Sequence, residues 1–96
     1  MSGRVTLRPE VRKFAERMEL KLRKHDTDRG VTGWQSESTE YLMNQILEEY
    51  HELIVAIGSG NLYSVCDEAA DVANFAMMVA DVAYRYGVPP APQADA

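Results

Sequence analysis

One interruption, Gly58-Ser-Gly60, divides the longest helix-patterned stretch of the chain, and it constrains the fold more than any other feature. Before it, Met43, Ile46, Leu47, Tyr50, Leu53, Ile54 and Ile57 recur as one broad apolar band, which predicts a helix from about Thr39 to Ile57. After it, the pattern predicts a helix starting near Asn61 to Ser64 and running to about Tyr86, where Gly87-Val-Pro-Pro-Ala-Pro stops it. Two long helices joined by so short a break form an antiparallel hairpin.

Upstream, Pro9 suits a first helical turn, and Leu7, Val11, Phe14, Met18 and Leu22 form a stripe that predicts a helix from Pro9 to about His25. His25 falls on the same stripe. Asp26 to Gly30 and Gly33-Trp34 read as a polar, glycine-punctuated loop, and Ser36 to Thr39 offer N-caps for the next helix. There is no internal repeat, heptad run or second domain. The expectation is an all-α chain, an antiparallel helical hairpin plus an N-terminal helix, with one domain over residues 1–86 and a flexible Pro/Ala-rich tail over 87–96.

A chain of 96 residues buries only about 60–65% of its unfolded surface, so a helical monomer of this size is marginal and homo-oligomerisation is expected to complete a four-helix-bundle-like core. On the last helix Val65, Ala69, Val72, Ala76, Val79 and Ala83 make a face of small residues. Glu68, Asp71, Phe75, Met78 and Val82 make another, acidic at first and then apolar. The apolar part of that second face is the expected subunit interface, in a dimer or tetramer.

The net charge of −5 argues against nucleic-acid polymers and anionic membranes as partners. Cys66 is the only cysteine, so no intrachain disulfide exists, which fits a reducing compartment. The start carries no apolar stretch, and the run Val72 to Ala80 is broken by Asn74 and ended by Asp81. The expected setting is cytoplasmic, without signal peptide or membrane span.

Two acidic pairs carry the chemistry. Glu49-x-x-Glu52, preceded by Glu48, and Glu68-x-x-Asp71 stand fifteen residues apart, one pair on each arm of the hairpin. Residues three apart share a helix face, so each arm can present two carboxylates to a common gap. Glu49 steps to the flank of the apolar band, Glu52 farther round, and Glu48 nearly opposite. An oxygen-only donor set suits a hard cation, Mg²⁺ or Mn²⁺, and through it a polyphosphate. A rival chemistry, the di-metal bundle hinted at by Glu48-x-x-His51, needs a second Glu-x-x-His, and His25 has Leu22 at the required position.

The double-Glu start, the fifteen-residue gap and Asp71-Val-Ala-Asn-Phe75 resemble the signature of the MazG-like all-α nucleoside triphosphate pyrophosphohydrolases, over about Phe14 to Tyr86. That superfamily also includes dimeric dUTPases, dCTP pyrophosphatases and phosphoribosyl-ATP pyrophosphatases. Lys24-His25, followed after nine residues from His25 by Trp34 in Gly33-Trp34, is similar to dCTP-pyrophosphatase-like members. The resemblance implies conversion of an NTP or dNTP to the monophosphate and pyrophosphate, with metal on Glu49, Glu52, Glu68 and Asp71. It implies catalytic roles for Glu49 and Glu48, a base-stacking role for Trp34, and substrate contacts from His25, Lys24, Asn74 and Phe75. Only Arg85 stands where many relatives carry a basic segment, so either Lys21, Lys24 and Arg29, from this or a neighbouring subunit, hold the triphosphate instead or affinity for it is weak. The alternative is a helical interaction or regulatory module with a vestigial metal site.

Overall fold

The computed structural model describes residues 4–88, so the expectation of a flexible tail lies, for residues 89–96, outside the described residues. The order of elements is α1 (Pro9–Arg23), the single turn α2 (Asp26–Arg29), a 3-10 turn (Gly33–Ser36), α3 (Thr39–Ser59) and α4 (Leu62–Tyr86). No strand occurs among the described residues.

Local chemistry sets the boundaries. Ser38, one of the cluster offered by the sequence, caps α3 by accepting from the Tyr41 amide at 3.0 Å, and Asn61 caps α4 by accepting from Ser64. Gly60 ends α3 at φ 72°, a left-handed conformation that only glycine adopts without strain, and the hairpin turns there. At the other end, α1 stops two residues earlier than its stripe suggests. His25 takes φ −111° and ψ 6°, outside helical values, and Asp26 then opens a separate turn. The segment read as loop is therefore partly helical.

The α4 helix is central: α3 packs along it, and α1 and the 3-10 turn lie against it. The buried apolar residues among those described are Leu42, Ala56, Ala70 and Val82, with Asn74 the one buried polar residue. Two expectations about helix faces are corrected here. On α3, α4 takes the edge of the apolar band marked by Leu42, Leu53 and Ala56, while Met43, Leu47, Tyr50, Ile54 and Ile57 remain half-exposed or more. On α4, Val82 is 6% exposed and Phe75 and Met78 are half-buried, so the face expected to be an exposed apolar patch is largely covered within the chain. Helical period marks an apolar face but does not say which edge of it a neighbour will take. No helix among the described residues is long and apolar enough to cross a membrane.

Candidate metal centre and adjoining cleft

The hairpin places Glu49 of α3 opposite Glu68 and Asp71 of α4, and one oxygen from each of the three lies within 4.8 Å of the others. The i, i+3 spacing on α4 puts Glu68 and Asp71 on one face, and Glu49 meets them because it borders the packed edge of α3. Glu49 Oε2 and Glu68 Oε2 are buried and meet no hydrogen-bond donor among the described residues. Buried carboxylate oxygens without donors are costly unless a cation meets them, so this donor set fits a hard divalent ion.

The electrostatics carry the same stress. Burial, followed by a hydrogen bond with Glu52 and the charges of Asp71 and Glu52, pushes Glu49 up to about 8. Burial and the charges of Glu52 and Asp71 also raise Glu68. Burial raises Asp71 above its ordinary value, against the opposing pull of Lys21. Lys21 of α1 lies 2.9 Å from Asp67 and 3.2 Å from Asp71. Burial disfavours its charge, but the two aspartates outweigh that and hold its pKa above the usual lysine value.

Beside the carboxylates opens a cleft of about 540 Å³. Its walls include Glu49 and Asp71 at one end, His25, Arg29 and Trp34 from the α1–α3 connection, and Asn74, Phe75 and Met78 from α4. Trp34 is held in place by its indole N–H, which donates to Asp81 Oδ2 at 2.9 Å, and Gln35 Nε2 donates to the same oxygen at 3.1 Å. Asn74 Nδ2 donates to the Met18 carbonyl at 3.1 Å, tying α1 to α4 behind the cleft. Only the amide nitrogen can donate to a carbonyl, so the orientation of that amide is fixed by chemistry.

The candidate residues thus separate into groups. Glu49, Glu68 and Asp71 converge, and Glu52, exposed at their edge, is near enough for its charge to raise all three. Trp34, His25, Asn74 and Phe75 line the cleft. Glu48 is exposed and belongs neither to the three-carboxylate cluster nor to the cleft wall. Lys24 lines a different groove, with Lys13, Arg17 and Tyr63. Sequence reasoning gave Asp81, Gln35 and Asp67 no role in the site. Asp81 was visible as a charge ending an apolar run, but nothing in the sequence paired it with Trp34.

The family model for phosphoribosyl-ATP pyrophosphohydrolase matches residues 11–92. Neither the search of curated proteins nor that of solved structures gives a match.

Proposed function

This chain belongs to the phosphoribosyl-ATP pyrophosphohydrolase family, an all-α branch of the MazG-like nucleotide pyrophosphohydrolases, and we propose that it hydrolyses a nucleoside triphosphate or its derivative to the monophosphate and pyrophosphate. The observation that carries this reading is the convergence of Glu49, Glu68 and Asp71, with two buried oxygens lacking donors, at the end of a nucleotide-sized cleft. In the reaction, water adds its oxygen to the α-phosphorus, the bond from that phosphorus to the bridging oxygen breaks, and pyrophosphate leaves.

Glu49, Glu68 and Asp71, with Glu52 at the rim, would hold Mg²⁺ or Mn²⁺, which when bound supplies positive charge to the phosphate oxygens. The chain's own groups do the rest. Trp34 offers a ring to stack on the base, in an orientation set by its bond to Asp81. Phe75 and Met78 add apolar surface to the cleft wall. Arg29, on the cleft wall, is a cation available to phosphate oxygens, Lys21 on the same wall being paired with Asp67 and Asp71, and His25 lines the same cleft. Glu49, pushed up to about 8 by burial and its acidic neighbours, would exchange its proton for a cation bound at this site. His25 and Asn74 are substrate contacts in this reading.

The test is a panel of NTPs, dNTPs and phosphoribosyl-ATP incubated with Mg²⁺, reading pyrophosphate against orthophosphate. Monophosphate and pyrophosphate in equal amounts are expected for at least one member. Binding of nucleotide without turnover across the panel would favour a regulatory module, and orthophosphate as the product would exclude the proposed bond cleavage.

A further inference from the structure

Asn74 is the one buried polar residue among those described, 4% exposed, yet it stands on the wall of the cleft. Its two polar atoms are not used alike. Nδ2 donates to the Met18 carbonyl at 3.1 Å, which fixes the amide, and Oδ1 is buried and meets no donor among the described residues. The other two buried oxygens in that condition belong to Glu49 and Glu68, and carboxylates suit a cation. Asn74 Oδ1 is a neutral amide oxygen instead, and a buried acceptor of that kind is unfavourable until a hydrogen-bond donor meets it.

We propose that Asn74 determines specificity for the sugar: its Oδ1 accepts a hydrogen bond from a sugar hydroxyl of the bound nucleotide, at a subsite between the carboxylates and Trp34. The proposal rests on the reading of this cleft as a nucleotide site. The oxygens of a triphosphate only accept, so they do not satisfy the free oxygen of Asn74. A sugar hydroxyl does, and so would an N–H on the edge of a base. Position along the cleft separates these two.

Along α4, Asn74 follows Asp71 by three residues, about 4.5 Å of helix axis, whereas Asp81, the anchor of Trp34, follows it by ten, about 15 Å. The hairpin is antiparallel, so the same direction on α3 runs toward its N-terminus. Gln45 stands one turn from Glu49 on that side, half-buried and lining the same cleft. The two amides therefore lie at about one level on opposite walls, beyond the carboxylates and short of the anchor of the stacking ring. Carboxylates, amides and aromatic ring repeat the covalent order of a nucleotide: phosphate, sugar, base. Gln45 carries both a donor and an acceptor and suits a second oxygen of the same sugar. A sugar without the hydroxyl leaves Oδ1 unpaired, and a site built to hydrogen-bond a substrate hydroxyl rejects the analogue that lacks it.

The experiment reads affinity rather than turnover. The α,β-methylene triphosphates of adenosine and cytidine, which resist the proposed cleavage, are titrated with Mg²⁺ by calorimetry beside their 2′-deoxy and 3′-deoxy forms. Loss of the hydroxyl that Oδ1 accepts from should weaken binding about tenfold or more, and which deoxy form suffers identifies the hydroxyl. Asn74→Leu should bind the parent ribonucleotide about as weakly as the wild type binds that deoxy form, and should no longer tell the two apart. A merely structural Asn74 would lower affinity for all three sugars alike. Equal binding of the three by the wild type, or discrimination that survives in a helical Asn74→Leu, overturns the proposal. If Asn74→Leu unfolds because the Met18 carbonyl loses its donor, the wild-type comparison alone decides. Failure of every triphosphate to bind would remove the nucleotide reading and this one with it, whereas sugar-selective binding without hydrolysis of the natural triphosphates would remove only the hydrolase.

Discussion

The indole nitrogen of Trp34 donates to Asp81 across 2.9 Å, joining residues 47 apart in sequence. Asp81 also accepts from Gln35 and pairs with Arg85 at 3.2 Å, one turn farther along α4. The bond from Trp34, opposed by slight desolvation and aided by Gln35 and Arg85, lowers the Asp81 pKa below the ordinary carboxylate value. A 3-10 turn with no buried residue of its own thus acquires a fixed aromatic ring at the cleft.

Asp81→Ala is expected to free that ring without unfolding the bundle. Trp34 is the only tryptophan, so its emission reports directly, and the variant should show a red shift and lower anisotropy. Loss of one hydrogen bond of about 0.5–1.5 kcal/mol should raise KM by roughly 2–10-fold with a smaller change in kcat. Trp34→Phe, which keeps a ring but removes the N–H donor, should show the same KM effect, and the double variant little more. Additive losses would mean that Asp81 and Trp34 act separately.

Glu49→Gln, Glu68→Gln and Asp71→Asn are each expected to reduce activity by at least about a hundredfold and weaken divalent-ion binding, with helicity retained. Glu52→Gln, at the exposed rim, should weaken both less. Glu48→Gln should leave ion affinity unchanged, since Glu48 stands outside the cluster. Titration calorimetry with Mg²⁺ and Mn²⁺ separates these outcomes from simple unfolding.

The cluster also predicts a pH dependence. Glu49, Glu68 and Asp71 all have folded-state pKa values raised above their ordinary ones, so the folded state binds their protons more tightly than the unfolded chain does. The stability they contribute is fully present below about pH 4 to 5 and is lost as the pH rises toward about 8, where Glu49 titrates. Asp81 works in the opposite sense, but only as the pH falls below its ordinary 3.8. Melting of the metal-free protein should therefore fall by several degrees between pH 5.5 and 8.5, and Mg²⁺ should restore more stability at the higher pH. A melting temperature that rises across this window without metal would contradict the burial of these groups.

Lys21 is a cation in direct contact with the edge of the carboxylate cluster. Lys21→Met removes its contacts to Asp67 and Asp71 and leaves two part-buried carboxylates unpaired, a loss of about 1–3 kcal/mol in the metal-free protein. Mg²⁺ should recover more stability in the variant than in the wild type, because the ion takes over the neutralisation of Asp71. Equal recovery in both would place Lys21 outside the influence of the ion.

Much of this architecture was legible because it is local. Pro9, the Ser36 to Thr39 cluster and Gly60 marked helix ends through capping chemistry, and the i, i+3 rule brought Glu68 and Asp71 to one face before any fold was known. The angular reading of α3 put Glu49 nearest its apolar band, and Glu49 is the α3 carboxylate that meets Glu68 and Asp71. What was not legible depends on how helices meet. The edge of α3 taken by α4, the pairing of Lys21 with Asp67, and the bond between Trp34 and Asp81 follow from crossing geometry, which periodicity does not encode. The same gap hid the burial of Val82 and the partial burial of Phe75 and Met78 on α4.

The turn at Gly60 has a kinetic consequence. Glu49 and Glu68 are joined through two helix ends and the short turn at Gly60, so the hairpin is a low-contact-order unit expected to form early in folding. Closing it before a cation arrives brings acidic groups together, and their repulsion opposes the very step that the short turn favours. Refolding monitored in a stopped-flow instrument should therefore be slower at pH 8.5 than at pH 5.5 and should quicken with Mg²⁺, the ion acting on the nascent hairpin as a folding template.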